Sequence, residues 1–173
     1  AQFNLGVMYY DENKIQDALI WYRRAANQGN ENAKYNIGII YFNQKNYSEA
    51  EKYLKSFAEN GDVTAQSCLG TIFDERGQYT EAIKWLNKAA ERGDVDAQFR
   101  IGYLYDDKKN FAEAVRWYKK AAEQGMAVAM YNLGVIYKNK KEEKEAVEWL
   151  RKAAENGYNK ANILLNEMET DDY

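Results

Sequence analysis

The chain has 173 residues, enough for one ordinary domain or a short array of repeated units. With 46% hydrophobic and 14% aromatic residues it is too apolar for a disordered chain, yet no apolar run approaches the ~18 residues that cross a bilayer. A net charge of −3 leaves no global electrostatic footprint for nucleic acid. The absence of histidine removes Ser–His and Cys–His pairs, histidine metal sites and the side chain best suited to proton transfer near neutral pH. Cys68 is the single cysteine, which excludes an internal disulfide and leaves the compartment open. The amphipathic pattern starts directly at Ala1, with neither an initiator Met nor a signal sequence, so a fragment of a longer chain is expected.

Taken from the start, Ala1, Leu5, Met8 and Tyr9 fall at i, i+4, i+7 and i+8, one face of a first helix. Asp11–Lys14 reads as a polar turn, and Ile15, Ala18, Leu19, Tyr22, Ala25 and Ala26 form the stripe of a second helix. Gly29 follows where a left-handed C-terminal cap is wanted. The whole pattern then returns every 32 residues. Alanine recurs at Ala1, Ala33, Ala65, Ala97, Ala129 and Ala161, and glycine at Gly6, Gly38, Gly70, Gly102 and Gly134. At a background glycine frequency of ~7%, four chance recurrences at a fixed offset have odds of roughly 2 in 100,000. Only Gly77 falls outside this series and the parallel one that begins at Gly29.

The spacing therefore predicts repeats at 1–32, 33–64, 65–96, 97–128 and 129–160, followed by a capping helix over 161–173. A lone pair of ~18 Å helices cannot bury its apolar faces, whereas stacked neighbours can. The expected fold is all-α: a right-handed superhelical solenoid of five helix-turn-helix repeats plus the cap. Gly6 with Ala18, and their equivalents, are expected to let paired helices approach closely. Ile163, Leu164, Leu165 and Met168 are expected to cover the last repeat, with Glu167, Glu169, Asp171 and Asp172 facing solvent.

The residues Ala97-x-x-x-Ile101-Gly102-x-x-Tyr105, then Ala114-x-x-Trp117-Tyr118-Lys119-Lys120-Ala121-Ala122-x-x-Gly125, resemble the Sel1-like repeat, a branch of the tetratricopeptide superfamily. The signature covers residues 1–160. One departure is systematic: the turn between paired helices is about four residues shorter than the glycine-rich turn of that family, and matches ordinary tetratricopeptide repeats instead. The resemblance implies an adaptor or scaffold for partner proteins, with the first helices lining a concave groove. Helicobacter-type relatives suggest an alternative, β-lactam binding or hydrolysis. Their cysteine pairs are absent here, and no Ser–Lys pair or metal-ligand set supports it. A self-assembling array, stacked end to end through the first repeat, is a further alternative.

With Ala1, Leu5, Met8 and Tyr9 facing the core, the opposite face of each first helix is the candidate groove. It presents Phe3, Asn4, Tyr35, Asn36, Ile39, Phe99, Arg100, Tyr103, Tyr131 and Asn132. A carboxamide both donates and accepts, so the row Asn4, Asn36 and Asn132 suits the alternating N–H and C=O groups of an extended peptide. Packing and solvation are the competing explanation of the same residues, with the asparagines capping or solvating neighbouring helices and the aromatics Phe3, Tyr35, Phe99 and Tyr131 packed between adjacent first helices. Asp74, Glu75, Asp106 and Asp107 form a candidate acidic cluster that would favour a basic segment of a protein or peptide partner. Arg100 stands as their counter-ion in the alternative reading. No catalytic residue, metal site, cofactor, nucleic-acid partner or membrane insertion is expected.

Overall fold

A computed structural model describes residues 1–170, with side chains through Met168. Glu169, Asp171 and Asp172, expected to face solvent, therefore lie outside the residues whose side chains are described. Eleven α-helices occur among the described residues, and no strand. The chain forms two compact units, 1–85 and 86–173. The division falls inside one helix rather than at a boundary between 32-residue repeats.

The first unit contains α1 (Gln2–Asp11), α2 (Ile15–Asn27), α3 (Glu31–Asn43), α4 (Tyr47–Glu59) and α5 (Val63–Glu75), and the start of α6 (Tyr79–Ala90). Successive helices pack on one another, α1 on α2, α2 on α3, α3 on α4 and α4 on α5. Ala18, Leu19, Tyr22, Ala33, Ile37 and Ile40 make one buried cluster. Ala50, Leu54, Ala65, Leu69, Ile72 and Trp85 make the next. Each fully buried Leu or Ile contributes about 1.5–3 kcal/mol over its exposed state, so these clusters rather than helix propensity hold the hairpins together.

The second unit contains the end of α6, then α7 (Val95–Asp107), α8 (Phe111–Glu123), α9 (Ala127–Asn139), α10 (Glu143–Glu155) and α11 (Lys160–Thr170). Tyr118, Leu133 and Leu150 are fully buried in its core, surrounded by Ala114, Ala129, Ala146 and Ala161. On α11, Leu164, Leu165 and Met168 pack onto that core, whereas Ile163 is 62% exposed. The expectation that Ile163 covers the last repeat is corrected. Its repeat position is that of Phe3 and Phe99, which rest on the second helix of their own hairpin, and no second helix follows α11 among the described residues.

The helix ends explain the strict spacing. Asn30, Asp62 and Asp94 accept from the backbone N–H of Ala33, Ala65 and Ala97 at 2.7–2.8 Å, satisfying an orphan donor at the start of α3, α5 and α7. At the end of α2, Gly29 takes φ +84°, and the Asn30 N–H reaches back to the Ala25 carbonyl at 3.1 Å, a Schellman closure. The shorter turns inside the hairpins also need one left-handed residue. Gly77 supplies it after α5, which explains its place outside the two glycine series; Asn13, Lys45, Lys109 and Lys141 supply it elsewhere.

The close helix approach expected at the small residues is present, and large side chains fill the space at the glycines. A Cβ on Gly6 would sit 2.5 Å from the Tyr22 ring, on Gly102 2.6 Å from the Tyr118 ring, and on Gly134 2.6 Å from Leu150. The side chain facing each of these glycines is the large residue one turn beyond the repeated alanine, Tyr22, Tyr118 or Leu150, and at Gly134 the Ala146 carbonyl also comes within 3.3 Å of the Cβ position.

Candidate functional site

The candidate face is the side of the first helices turned away from the core. In the first unit, Tyr10 of α1, Tyr22 of α2, Tyr35, Asn36, Ile39 and Ile40 of α3 and Thr64 of α5 enclose a cavity of about 300 Å³. Tyr35, Asn36 and Ile39 were expected on this face, and the structure brings them together. None of the seven lining residues is charged. Tyr35 donates its hydroxyl proton to Asp62 Oδ1 at 3.3 Å and accepts from Thr64. Burial raises the Tyr35 pKa above the ordinary phenol value, partly opposed by the Thr64 bond.

The asparagine row is engaged from within. The Asn36 carboxamide donates to the hydroxyl of Tyr22, a buried residue of the preceding hairpin. Burial raises the Tyr22 pKa, the Asn36 bond lowers it, and the nearby Asp11 charge raises it again. In the second unit, Asn132 donates in the same way to Tyr118, which is fully buried. Tyr118 in turn donates to Asp106 Oδ2 at 3.4 Å. Burial drives the Tyr118 pKa strongly upward, with the Asp106 charge adding to it. Asn36 and Asn132 thus each link one hairpin to the hairpin before it. Asn4 is exposed on α1.

The remaining expected residues divide between packing and exposure. Phe3 tilts against Tyr22 with ring centroids 5.7 Å apart, Phe99 against Tyr118 at 5.6 Å, and Tyr35 meets Phe57 edge-on at 5.2 Å. These aromatics pack on the second helix of their own hairpin, and Tyr35 also reaches the next first helix through Asp62 and Thr64. Tyr131 packs on Tyr158 at 4.9 Å. Tyr103 is 53% exposed, the most open aromatic of the face, and Arg100 is half-buried. Asp74 and Glu75 end α5 in the first unit; Asp106 and Asp107 end α7 in the second. Burial raises the Asp106 pKa, and the neighbouring Asp107 charge raises it further against the lowering by Tyr118. No group of three or more His, Cys, Asp or Glu among the described residues is placed to hold a metal ion. No described helix is long and apolar enough to cross a membrane.

Two polar residues were missed by sequence reasoning. Gln66 and Gln98 are buried, and each side-chain amide donates to the main-chain carbonyl eight residues earlier, Ala58 at 3.0 Å and Ala90 at 3.1 Å. Gln124 then donates to the Gln98 oxygen at 2.8 Å. The only signal was a glutamine recurring at the second position of three repeats, which reads as solvated on a helix start.

The Sel1 repeat family matches residues 1–30 and 95–126, and tetratricopeptide repeat families match 35–95 and 127–156. No curated protein matches the chain. Among solved structures, c5321, a protective antigen of uropathogenic Escherichia coli strains displaying an SLR fold, is 34% identical with a TM-score of 0.79 over 96% of this chain. The chain spans 40% of that antigen's length. A Sel1 repeat protein from Oxalobacter formigenes is 29% identical, TM-score 0.78, over 94% of this chain and 73% of its own. YrrB, a tetratricopeptide-repeat protein with an unusual peptide-binding site, is 27% identical, TM-score 0.66, over 90% of this chain and 84% of its own. With both repeat types matched along the chain and the same helical fold in these neighbours, the chain is a Sel1- and tetratricopeptide-repeat protein, an all-α solenoid of the protein-interaction scaffold class.

Proposed function

We propose that the chain holds an extended segment of a partner protein along the exposed face of its first helices, and that it works by binding alone, with no chemistry of its own. The observation that carries this reading is the cavity of about 300 Å³ in the first unit, walled by residues of α1, α3 and α5 and floored by the buried Tyr22 and Ile40. Its size falls at the lower end of ordinary ligand sites, ~300–1,000 Å³, suited to one anchoring side chain rather than a whole small molecule. Tyrosine-rich walls provide contact area at low entropic cost. The peptide-binding site named for YrrB, a structure of the same fold, is consistent with it. The Asn36 carboxamide, which can both donate and accept, suits the N–H and C=O groups of a peptide backbone.

The test is selection of random phage-displayed peptides on the protein, followed by affinity measurement by fluorescence polarisation. Ile39→Glu, which puts a carboxylate in the cavity wall, is expected to weaken the selected peptides by at least ~10-fold, about 1.4 kcal/mol. A thermal melt on the same sample separates this from unfolding. Undiminished affinity in a folded Ile39→Glu protein removes the cavity from the binding face. Nitrocefin is expected to remain unhydrolysed, and turnover would reinstate the enzyme alternative.

A further inference from the structure

The first-unit cavity has a buried floor and a rim without charge. Tyr22 and Ile40 are buried and close the floor, Tyr35, Asn36 and Ile39 form half-buried walls, and Tyr10 and Thr64 stand exposed at the edge. The Asp62 carboxylate, which is bonded to the wall, is already engaged: Oδ1 accepts from the Ala65 N–H at 2.7 Å and from the Tyr35 hydroxyl at 3.3 Å. Phe57 holds the Tyr35 ring from another side, edge-on with centroids 5.2 Å apart. This wall is therefore set before any guest arrives. The same seven repeat positions carry charge in every later repeat. They include Asp96 one repeat on, Asp74 and Arg100 two on, and Asp106 and Lys160 three on. Tyr22, Asn36 and Ile40 meanwhile return as Tyr118, Asn132 and Ile136. The lack of charge belongs to this site and not to the repeat.

We infer that this cavity takes an uncharged aromatic side chain of the partner peptide, its ring against Ile39 and Ile40 and among the rings of Tyr10, Tyr22 and Tyr35. A charged guest would leave water and meet no opposite charge in the lining, an uncompensated desolvation. The three tyrosine rings favour an aromatic guest over an aliphatic one, because ring pairs gain beyond the area they bury. Size agrees. A cavity of ~150 Å³ holds benzene, so about 300 Å³ admits a phenyl, phenol or indole group. Hydroxyls and a carboxamide both donate and accept, so the polar tip of a tyrosine or tryptophan is tolerated as well.

The inference rests on the peptide-binding reading above, and two experiments keep the failures apart. In the first, phenol, cyclohexanol and N-methylpyridinium are titrated into the labelled protein and followed by amide NMR. Cyclohexanol keeps the hydroxyl and removes the aromaticity, whereas N-methylpyridinium keeps an aromatic ring and adds a charge. Phenol is expected to shift Tyr35, Asn36, Ile39 and Thr64 saturably, at least ~3-fold more tightly than cyclohexanol and ~10-fold more tightly than N-methylpyridinium. Tyr10→Asp installs the residue type that the second unit carries as Asp106, at a position 39% exposed, and is expected to reverse the order of phenol and N-methylpyridinium. Cyclohexanol or N-methylpyridinium binding as tightly as phenol to the unaltered protein, saturable shifts from none of the three, or an order unchanged in a folded Tyr10→Asp protein overturns the assignment. In the second, each aromatic residue of the phage-selected peptides is replaced by leucine. A loss of at least ~3-fold at one position, cancelled in the Tyr10→Asp protein, supports the assignment. Undiminished affinity at every position overturns it while leaving peptide binding intact; failure to select any peptide counts against the peptide reading itself, and the phenol titration then still judges the cavity.

Discussion

The junction between the first two hairpins and the junction between α8 and α9 are built on the same residues, 96 positions apart, and differ in one consequential place. Tyr22 and Tyr118 both fill the space left by a glycine, and both accept from an asparagine of the next hairpin. Beside Tyr22 stands Tyr10; the equivalent position beside Tyr118 is Asp106, which takes the tyrosine proton. One junction therefore opens into an uncharged cavity, while the other closes into an Asn132–Tyr118–Asp106 chain. A repeat fold keeps its packing residues and changes chemistry at the first helix's last turn.

Four measurements would break or sharpen that comparison. The largest expected effect is Gly102→Ala, where a Cβ only 2.6 Å from the Tyr118 ring forces a fully buried side chain to shift. Overpacking of this kind costs about 1–3 kcal/mol, read as a fall in the urea midpoint. Gly6→Ala, whose Cβ meets the Tyr22 ring at 2.5 Å, is expected to cost a comparable amount. Unequal losses would mean that one junction yields more readily than the other.

Next is Tyr118→Phe, expected to cost about 1–2 kcal/mol because Asn132 and Asp106 both lose a partner. Tyr22→Phe strands only Asn36 and is expected to cost about 0.5–1 kcal/mol by the same urea measurement. Gly29→Ala and Gly125→Ala serve as a matched control. Both sites have φ near +90° and open space around a new Cβ, so each is expected to lose about 1 kcal/mol from backbone strain alone.

The smallest effect is the pH dependence of the second junction. Burial and Asp107 hold the Asp106 pKa above its ordinary 3.8. A raised carboxyl pKa contributes stability that is complete below about that ordinary value and is lost as pH rises through the folded-state value. Thermal melts from acid to neutral pH are therefore expected to show Asp106→Asn gaining on the wild type as pH rises. A constant difference across that range would mean that Asp106 ionises without cost.

The 32-residue period, the alanines and the glycine caps made the helices, their order and their core faces legible, because each rests on contacts within a helix or between neighbours in sequence. The outward placement of Tyr35, Asn36 and Ile39 followed from the same geometry. The link was not legible, because Tyr22 and Asn36 belong to different hairpins and the asparagines read equally well as peptide ligands. A signal was present along the chain: Tyr22 precedes Asn36 and Tyr118 precedes Asn132, whereas Leu54 precedes Cys68 and Leu150 precedes Leu164. The hydroxyl and its partner come and go together, with Arg100 after Leu86 as the exception. Gln66 and Gln98 were missed because a polar residue on a helix start looks solvated until the carbonyl it serves is seen.

Lys45, Lys109 and Lys141 hold their hairpin turns at φ near +60°, a conformation that costs an ordinary L-residue about 1–2 kcal/mol. They are exposed and lie outside the cavity walls. Exchanging them for glycine or asparagine offers an engineer a way to toughen the scaffold while the first-unit cavity stays as it is.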